Sequence, residues 1–164
     1  MATHELGIIL HGATGGICST QHLHNTLVPI RAEGGLVIGN DTIMPNLLLV
    51  GRNSERLAAL ASEIGGVEWT TDLDAALNNP SYPIFFDAAA THLRLDLLKR
   101  AIAAGKHIYT EKPLAPSVDD GLSLLKAAEA NGLKHGVVED KLFVPGFHKL
   151  QNLVDSGFLG RILG

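Results

Sequence analysis

A short apolar run that ends in a glycine-rich turn constrains the fold of this chain more than any other feature. Leu6 to Leu10 is apolar throughout and has the length of a buried strand. The turn His11-Gly12-Ala13-Thr14-Gly15-Gly16-Ile17-Cys18 follows, and a helix-like segment then extends to about Ile30. A strand, a glycine turn and a helix in this order form the context in which such a turn binds a dinucleotide. The order predicts an α/β fold.

The glycine turn supplies the features that a pyrophosphate group needs. Gly12 permits a tight turn, and Gly15 or Gly16 lets the backbone approach the phosphates closely. The amino terminus of the following helix adds free N–H groups and a partial positive charge. Cys18 stands where a third glycine would be, and we interpret it as a packing residue rather than a nucleophile. The predicted pyrophosphate site comprises Gly12, Thr14, Gly15, Gly16 and Ile17.

The alternation of apolar runs with helix-like segments continues along the chain. Helical spacing predicts a buried face on the helix at residues 93–104 and another on the helix that Ser117 opens. We therefore predict a Rossmann-type, doubly wound α/β fold of about six mostly parallel strands with helices on both faces, in the order 3-2-1-4-5-6. The later runs are 47–50, 67–70, 82–87, 106–110 and 133–138, and the two predicted faces are Leu97, Leu98, Ala101 and Ile102, and Val118, Leu122, Leu125 and Ala128.

The amino-acid composition limits the classes of molecule that we expect this chain to bind. The 164 residues suit one domain, and 46% hydrophobic against 18% charged residues suit a buried parallel sheet. A net charge of −4 without a long basic run argues against nucleic acid, and no apolar run is long enough to span a membrane. The single cysteine suits a reducing cytoplasm. The eight histidines lack metal-ligand spacing, so we expect no metal site.

The stretch from Arg31 to Asn46 lengthens the usual gap before the second strand. It reads as irregular, with a turn at residues 39–41 that suits the tip of a small hairpin. Counting about twenty residues from the glycine turn reaches Glu33, but that residue lies in the turn region. We assign the second strand to Leu47–Val50 instead.

The residues after this strand bear on which cofactor binds. Gly51-Arg52-Asn53 follows it, at the position where a NAD-specific site usually carries a carboxylate. Arg52 either pairs with the 2′-phosphate of NADP or is a solvated residue at the start of the next helix. The loop favours NADP over NAD, with Arg52 and Asn53 as cofactor-binding candidates.

Further candidates follow the later strands. Tyr109-Thr110-Glu111-Lys112-Pro113-Leu114 places a charged pair at the carboxyl end of a buried strand, where ligands bind in open α/β sheets. Lys112 either is a solvated residue at a strand end or serves in proton transfer with a substrate hydroxyl and in stabilising negative charge, provided that burial or a neighbouring group favours its neutral form. Asp140 and Lys141 leave the last strand at the same edge and either contact substrate or form a solvated pair. The small residues after the fourth strand let a flat ring lie close, and the candidates there are Ala89, Ala90, Thr91 and His92.

The chain resembles the Gfo/Idh/MocA family of nicotinamide-dependent oxidoreductases. The resemblance rests on His92, on Ala104-Gly105-Lys106-His107-Ile108, on Glu111-Lys112-Pro113-Leu114 and on Gly157-Phe158-Leu159-Gly160-Arg161-Ile162. It implies that Lys112 is catalytic, that Glu111 orients Lys112 or contacts the nicotinamide ribose, and that Pro113 follows a cis peptide bond. Two departures are Arg52, where the family often has an acidic residue, and the lone His92 of a Pro-x-x-His pattern.

The resemblance also implies a domain organisation and an activity. Residues 1–145 would form the NAD(P)-binding domain, and 146–164 a helix and lead-in to a substrate domain that the sequence does not contain. We expect an oxidoreductase for a sugar, inositol or related hydroxylated substrate, homo-oligomeric when full-length, with little turnover by this chain alone. The alternative is a non-catalytic dinucleotide-binding module, either a cofactor-responsive regulator or a truncated remnant.

Overall fold

Among the residues that the structure describes, the chain forms seven strands and seven helices in a mostly alternating order. The computed structural model describes residues 2–163. The strands are β1 Thr3–His11, β2 Leu36–Ile38, β3 Asp41–Val50, β4 Glu68–Thr70, β5 Ile84–Asp87, β6 His107–Thr110 and β7 His135–Val137. The helices are α1 Cys18–Leu27, α2 Val28–Ala32, α3 Ser54–Glu63, α4 Leu73–Asn78, α5 Thr91–Ala103, α6 Val118–Ala130 and α7 Pro145–Asp155, with a 3₁₀ turn at Asp140–Phe143.

One sheet contains all seven strands. Its order is β2-β3-β1-β5-β6-β7, and β4 pairs with β3 on the same side as β2. All pairings are parallel except the antiparallel β2–β3 contact. Without the β2 excursion the order is the predicted 3-2-1-4-5-6, and β1 lies in the middle of the sheet. The predicted doubly wound, mostly parallel fold is therefore confirmed.

Helices cover both faces of the sheet because neighbouring residues of each central strand point in opposite directions. Ile9 and Phe85 belong to the core under α4, α5 and α6. Leu10 and Phe86, the next residue of each strand, belong to the core under α1 and α3. These two apolar layers explain why the central strands read as continuous apolar runs rather than as alternating patterns.

The stretch before the second strand is more regular than the sequence predicted. β2 and β3 form a hairpin across residues 39–40, and β3 begins at Asp41 rather than at Leu47. Its early half pairs with β1 from Thr3 onward, so both strands extend beyond the rest of the sheet at their amino ends. The predicted hairpin tip is confirmed, but the prediction of an otherwise irregular segment was wrong because Pro45 lies within β3, where the pairing with β1 accommodates it.

Two helices also differ from expectation. α1 is wider than an α-helix, and at its end the Val28 N–H donates to the carbonyl of Leu23, five residues back. In α6 the predicted inward face is only half right, because Val118 is 78% and Leu122 46% exposed whereas Ala128 is buried. Within the described residues, none of the helices is both long and apolar enough to cross a membrane.

Candidate functional site

Five loops that carry predicted site residues meet at one edge of the sheet. The central strands end in register, since His11 is level with Val50 and Asp87, and Asp87 with Thr110. Because these strands are parallel, the segments after them leave from the same side. Backbone hydrogen bonds join consecutive loops, with Ala88 donating to His11 at 3.0 Å and Glu111 to Asp87 at 2.8 Å. The geometry therefore brings the candidates from β1, β3, β5, β6 and β7 together.

The glycine turn after β1 leaves room and hydrogen-bond donors at this edge. Gly12 has a positive φ of 78°, and a Cβ there would stand 2.8 Å from the backbone nitrogen of Ala89, so no other residue fits without strain. A Cβ at Gly16 would meet nothing within 4 Å. Helical backbone begins at Gly16, and the N–H groups of Gly16 and Ile17 have no backbone acceptor among the described residues.

Cys18 lies just behind this turn and is closed off from it. Its side chain is fully buried in the core under α1 and α3. Burial, with smaller contributions from the negative charges of Asp87 and Glu111, raises the pKa of the thiol to about 12. A thiol with that pKa is protonated at neutral pH, which agrees with a packing role rather than a nucleophilic one.

The end of β3 presents an arginine to solvent. Arg52 is exposed, and its guanidinium makes no hydrogen bond or ion pair with any described residue. Asn53 is the N-cap of α3, because its side-chain oxygen accepts the N–H of Arg56 at 2.8 Å. The loop thus combines a helix amino terminus with an available guanidinium, both of which attract a phosphate group.

The loop after β5 runs close to the glycine turn. Ala89 is half-buried, whereas Ala90, Thr91 and His92 are exposed. Ala90 occupies the N-cap position of α5 without any side-chain cap, so His92 does not cap that helix. His92 lies in the first turn of α5, and its side chain has no hydrogen-bond partner among the described residues.

Glu111 and Lys112 follow β6 but point to different environments. The Glu111 carboxylate is buried and pairs with Nε2 of His22 at 2.5 Å, so it ties β6 to α1. Its other oxygen accepts the backbone N–H of Lys112 at 3.2 Å. Lys112 itself is exposed, and its Nζ has no acceptor within residues 2–163. The peptide bond between Lys112 and Pro113 is cis.

Asp140 lies near enough to Lys112 for their charges to interact. A hydrogen bond from Lys141 at 3.2 Å, followed by the positive charges of Lys141 and Lys112, lowers the pKa of Asp140 below its ordinary value. Asp140 and Lys141 therefore form an exposed ion pair at the same edge as Lys112.

A buried cluster at the centre of this edge escaped the sequence analysis. Asp87 is 0% and Arg94 2% exposed, and Arg94 Nε donates to Asp87 Oδ2 at 3.0 Å. Nδ1 of His11 lies 3.1 Å from Asp87 Oδ1 and donates to it, because an ionised carboxylate can only accept. Burial alone would raise the pKa of Asp87, but the hydrogen bonds from His11 and Arg94 outweigh burial and lower it.

A signal for this cluster was present in the sequence. Arg94 is three residues before Leu97, four before Leu98 and seven before Ala101, so helical periodicity places it on the buried face of α5. Asp87 ends the apolar strand Ile-Phe-Phe-Asp. A charged residue on an apolar face, with an opposite charge at the end of the neighbouring strand, predicts a buried ion pair.

A parallel sheet whose strand ends carry a glycine turn, an unpaired arginine and an exposed lysine defines a dinucleotide-binding domain of the Rossmann class. Residues 43–139 match the model of the Gfo/Idh/MocA family, described as an oxidoreductase family with a NAD-binding Rossmann fold. The chain belongs to this family. No group of three or more potential metal ligands converges within residues 2–163.

The similar curated proteins include two named sugar dehydrogenases. The D-xylose dehydrogenase of Paenarthrobacter nicotinovorans is 43% identical over 157 residues, which are 95% of this chain and 40% of that protein. The levoglucosan dehydrogenase of Pseudarthrobacter phenanthrenivorans is 28% identical over 111 residues, 68% of this chain and 28% of that protein. The chain thus spans about 40% of the length of the first of these relatives.

Solved structures share the fold. A levoglucosan dehydrogenase in complex with NADH and levoglucosan superposes with a TM-score of 0.77 at 23% identity, over 98% of this chain and 42% of that one. KijD10, a 3-ketoreductase from Actinomadura kijaniata in complex with NADP, gives 0.72 at 19% identity, over 93% of this chain and 42% of that one.

Proposed function

We propose that this chain is the dinucleotide-binding part of an NADP(H)-preferring oxidoreductase that transfers a hydride to or from a hydroxyl-bearing carbon of a sugar, inositol or related substrate. The observation that carries the proposal is the position of Lys112, whose exposed amine has no partner among residues 2–163 and shares a sheet edge with the glycine turn. An amine at that edge is placed for proton transfer beside a bound nicotinamide.

The residues at this edge fit a dinucleotide. The open space at Gly16 and the N–H groups of Gly16 and Ile17 suit a pyrophosphate, which approaches the backbone closely. Arg52 would pair with a 2′-phosphate through a charge-assisted, bidentate contact, and a carboxylate that would repel this phosphate does not stand in its place. The loop Ala88–Ala90 would lie along the nicotinamide ribose.

The chemistry needs both a hydride carrier and a proton carrier. The nicotinamide, when bound, accepts or supplies the hydride. In the oxidation direction Lys112 takes the hydroxyl proton as the carbon loses its hydride, and in reduction it returns that proton to the oxygen. Glu111 holds the Lys112 backbone N–H, and its pairing with His22 keeps that carboxylate fixed.

The proposed substrate class is based on the named activities of similar proteins. Two of the similar proteins are named for D-xylose and levoglucosan, both of which carry several hydroxyl groups. Asp140, which is near enough to Lys112 for their charges to interact, and its partner Lys141 are suited to hydrogen-bond such hydroxyls. The domain organisation would follow the family, with residues 1–145 binding the cofactor and 146–164 leading into a substrate domain.

The decisive variant is Lys112→Met, with Lys99→Met on the exposed side of α5 as the matched control. Lys112→Met should lower turnover by about 10²–10⁴, the usual contribution of a general acid–base. NADPH affinity, measured by fluorescence titration, should stay within about two-fold, because the pyrophosphate site follows a different strand. Turnover is measured on a panel of sugars and polyols with the longest reading frame that contains this chain.

Each alternative gives a different result in this experiment. We expect the 164-residue chain itself to bind NADPH with little turnover. Binding with no turnover in any longer form would favour the non-catalytic dinucleotide-binding module. Full activity of Lys112→Met would remove Lys112 from the proton transfer, and failure to bind any dinucleotide would contradict the interpretation of the glycine turn.

A further inference from the structure

The buried guanidinium of Arg94 connects the two loops that flank the candidate nicotinamide site. Its Nε donates to Asp87 at the end of β5. One terminal nitrogen donates to the carbonyl of Pro113 at 2.6 Å, and the other donates to the carbonyl of Ala89 at 3.1 Å. A single side chain therefore binds a strand end, the loop after β5 and the segment that contains Lys112.

An ion pair for stability alone would not need this arrangement. The Asp87 carboxylate already receives the His11 ring and the Ala89 N–H in addition to Arg94, so its charge is well compensated. The two remaining donor groups of Arg94 are directed at carbonyl oxygens of the two loops on either side of the site. The planar guanidinium has five N–H donors in a fixed fork, whereas a lysine ammonium at this position cannot reach three acceptors so placed.

We propose that Arg94 is a positioning residue, which holds the Lys112–Pro113 segment against the loop after β5 and so sets the location of Lys112 relative to a bound nicotinamide. This inference rests on the proposed function. Lys112 depends on such a link because it is exposed and its Nζ has no partner within the described chain. Neighbouring backbone, rather than packing of its own side chain, must then define where its amine stands.

The test compares Arg94→Lys with Arg100→Lys, which makes the same change on the same helix. Arg100 binds the exposed Asp74 and lies at the opposite end of α5 from the site. Arg94→Lys retains the positive charge beside Asp87 but loses the bond to Pro113. A second variant is used in case Arg94→Lys folds poorly. Asp87→Asn with Arg94→Gln removes both buried charges together, so that neither charge is left unpaired in the core.

Two measurements on the 164-residue chain separate a positioning role from a purely structural one. Hydrogen–deuterium exchange of the peptide Tyr109–Leu114 should accelerate by roughly five-fold or more in both Arg94 variants, while the peptides of β1 and β3 keep their rates, because opening is local. In NADPH titrations the affinity should change by less than about three-fold, since the glycine turn and Arg52 are left unaltered, but the emission of the bound nicotinamide should change. Arg100→Lys should alter neither quantity.

Unchanged exchange at Tyr109–Leu114 would overturn the proposal, and so would faster exchange throughout the domain, which indicates a structural role. Local loosening with unaltered nicotinamide emission would also overturn it, because the link would then not affect the cofactor. Absence of NADPH binding by the unmodified chain would contradict the proposed function instead, and the exchange measurement alone would then decide whether Arg94 holds the segment.

Discussion

Two charged side chains at the same sheet edge occupy opposite environments. Asp87 has no exposed surface, and three hydrogen bonds to its carboxylate offset the cost of removing a charge from water. Arg52 is exposed and contacts no acceptor in the described residues. A buried charge with full pairing belongs to the scaffold of the site, whereas an exposed and unpaired one at a ligand edge remains available for a ligand.

Arg52→Ala should therefore change cofactor choice rather than stability. Loss of a charge-assisted contact to the 2′-phosphate costs about 1.5–3 kcal/mol, so NADPH affinity should fall roughly ten-fold or more while NADH affinity barely changes. Fluorescence titration with both cofactors measures this. Arg100→Ala, which removes one positive charge far from the edge, should leave both affinities unchanged. Equal losses for the two cofactors in Arg52→Ala would show that Arg52 does not recognise the phosphate.

At the scale of elements, the helices and strands that could be predicted are those whose formation depends on residues close in sequence. The strand–turn–helix order and the central position of β1 follow from apolar runs and glycines close in sequence. The tip of the β2–β3 hairpin was predicted from its turn residues, but the early start of β3 was missed, because its first half pairs with β1, about forty residues earlier, and that pairing leaves no mark on the local pattern.

The candidate site residues divide in the same way, into those that local sequence predicts and those that depend on distant contacts. Lys112, Arg52 and the glycine turn could be predicted to share one edge because each follows a strand directly, and parallel strands bring their ends together. The contacts of Arg94 with Asp87 and Pro113 depend on side-chain directions across three elements. The helical periodicity of α5 marks Arg94 as buried, but it does not show which loops its guanidinium joins.

The glycine turn gives a test that separates folding from binding. In Gly16→Ala the new Cβ meets no protein atom within 4 Å, and the backbone there is helical. The free energy of unfolding should therefore stay equal or rise by up to about 1 kcal/mol. NADPH affinity should nevertheless fall about ten-fold or more, because the methyl group occupies the space of the pyrophosphate.

Gly12→Ala provides the contrast. The positive φ of Gly12 and the 2.8 Å approach of a Cβ to Ala89 predict a loss of more than about 1 kcal/mol of stability together with the loss of binding. Thermal denaturation and NADPH titration measure the two quantities. Retained affinity in Gly16→Ala would mean that the phosphates do not approach this turn.

At the scale of the whole molecule, apolar surface is concentrated beyond β7. α7 has no buried residue, and its side chains Phe147, Leu150 and Val154 lie on one exposed side with Leu142 of the preceding 3₁₀ turn. These residues line a groove of about 530 Å³ together with polar neighbours. A continuous exposed apolar surface of this kind favours association.

The 164-residue chain should accordingly self-associate at micromolar concentration. Leu150→Glu should shift the equilibrium toward monomer, because a charge cannot be buried in an apolar contact without a large cost. Asn152→Glu makes the same change of charge on the other side of α7 and should leave association unaltered. Sedimentation velocity across a concentration series measures both variants. A concentration-independent monomer in the unmodified chain would contradict the prediction.

The contact between His11 and Asp87 has a consequence for the order in which the chain folds. The two residues are 76 positions apart, and His22 and Glu111 are 89 apart. Closing such long loops costs entropy before any of these contacts forms, so segments that pair early in the chain should become ordered sooner. On a ribosome the edge cannot be complete until Pro113 has emerged from the exit tunnel. A nascent chain should therefore acquire the proposed affinity for dinucleotide late, only after the strands from both halves of the sheet have come together.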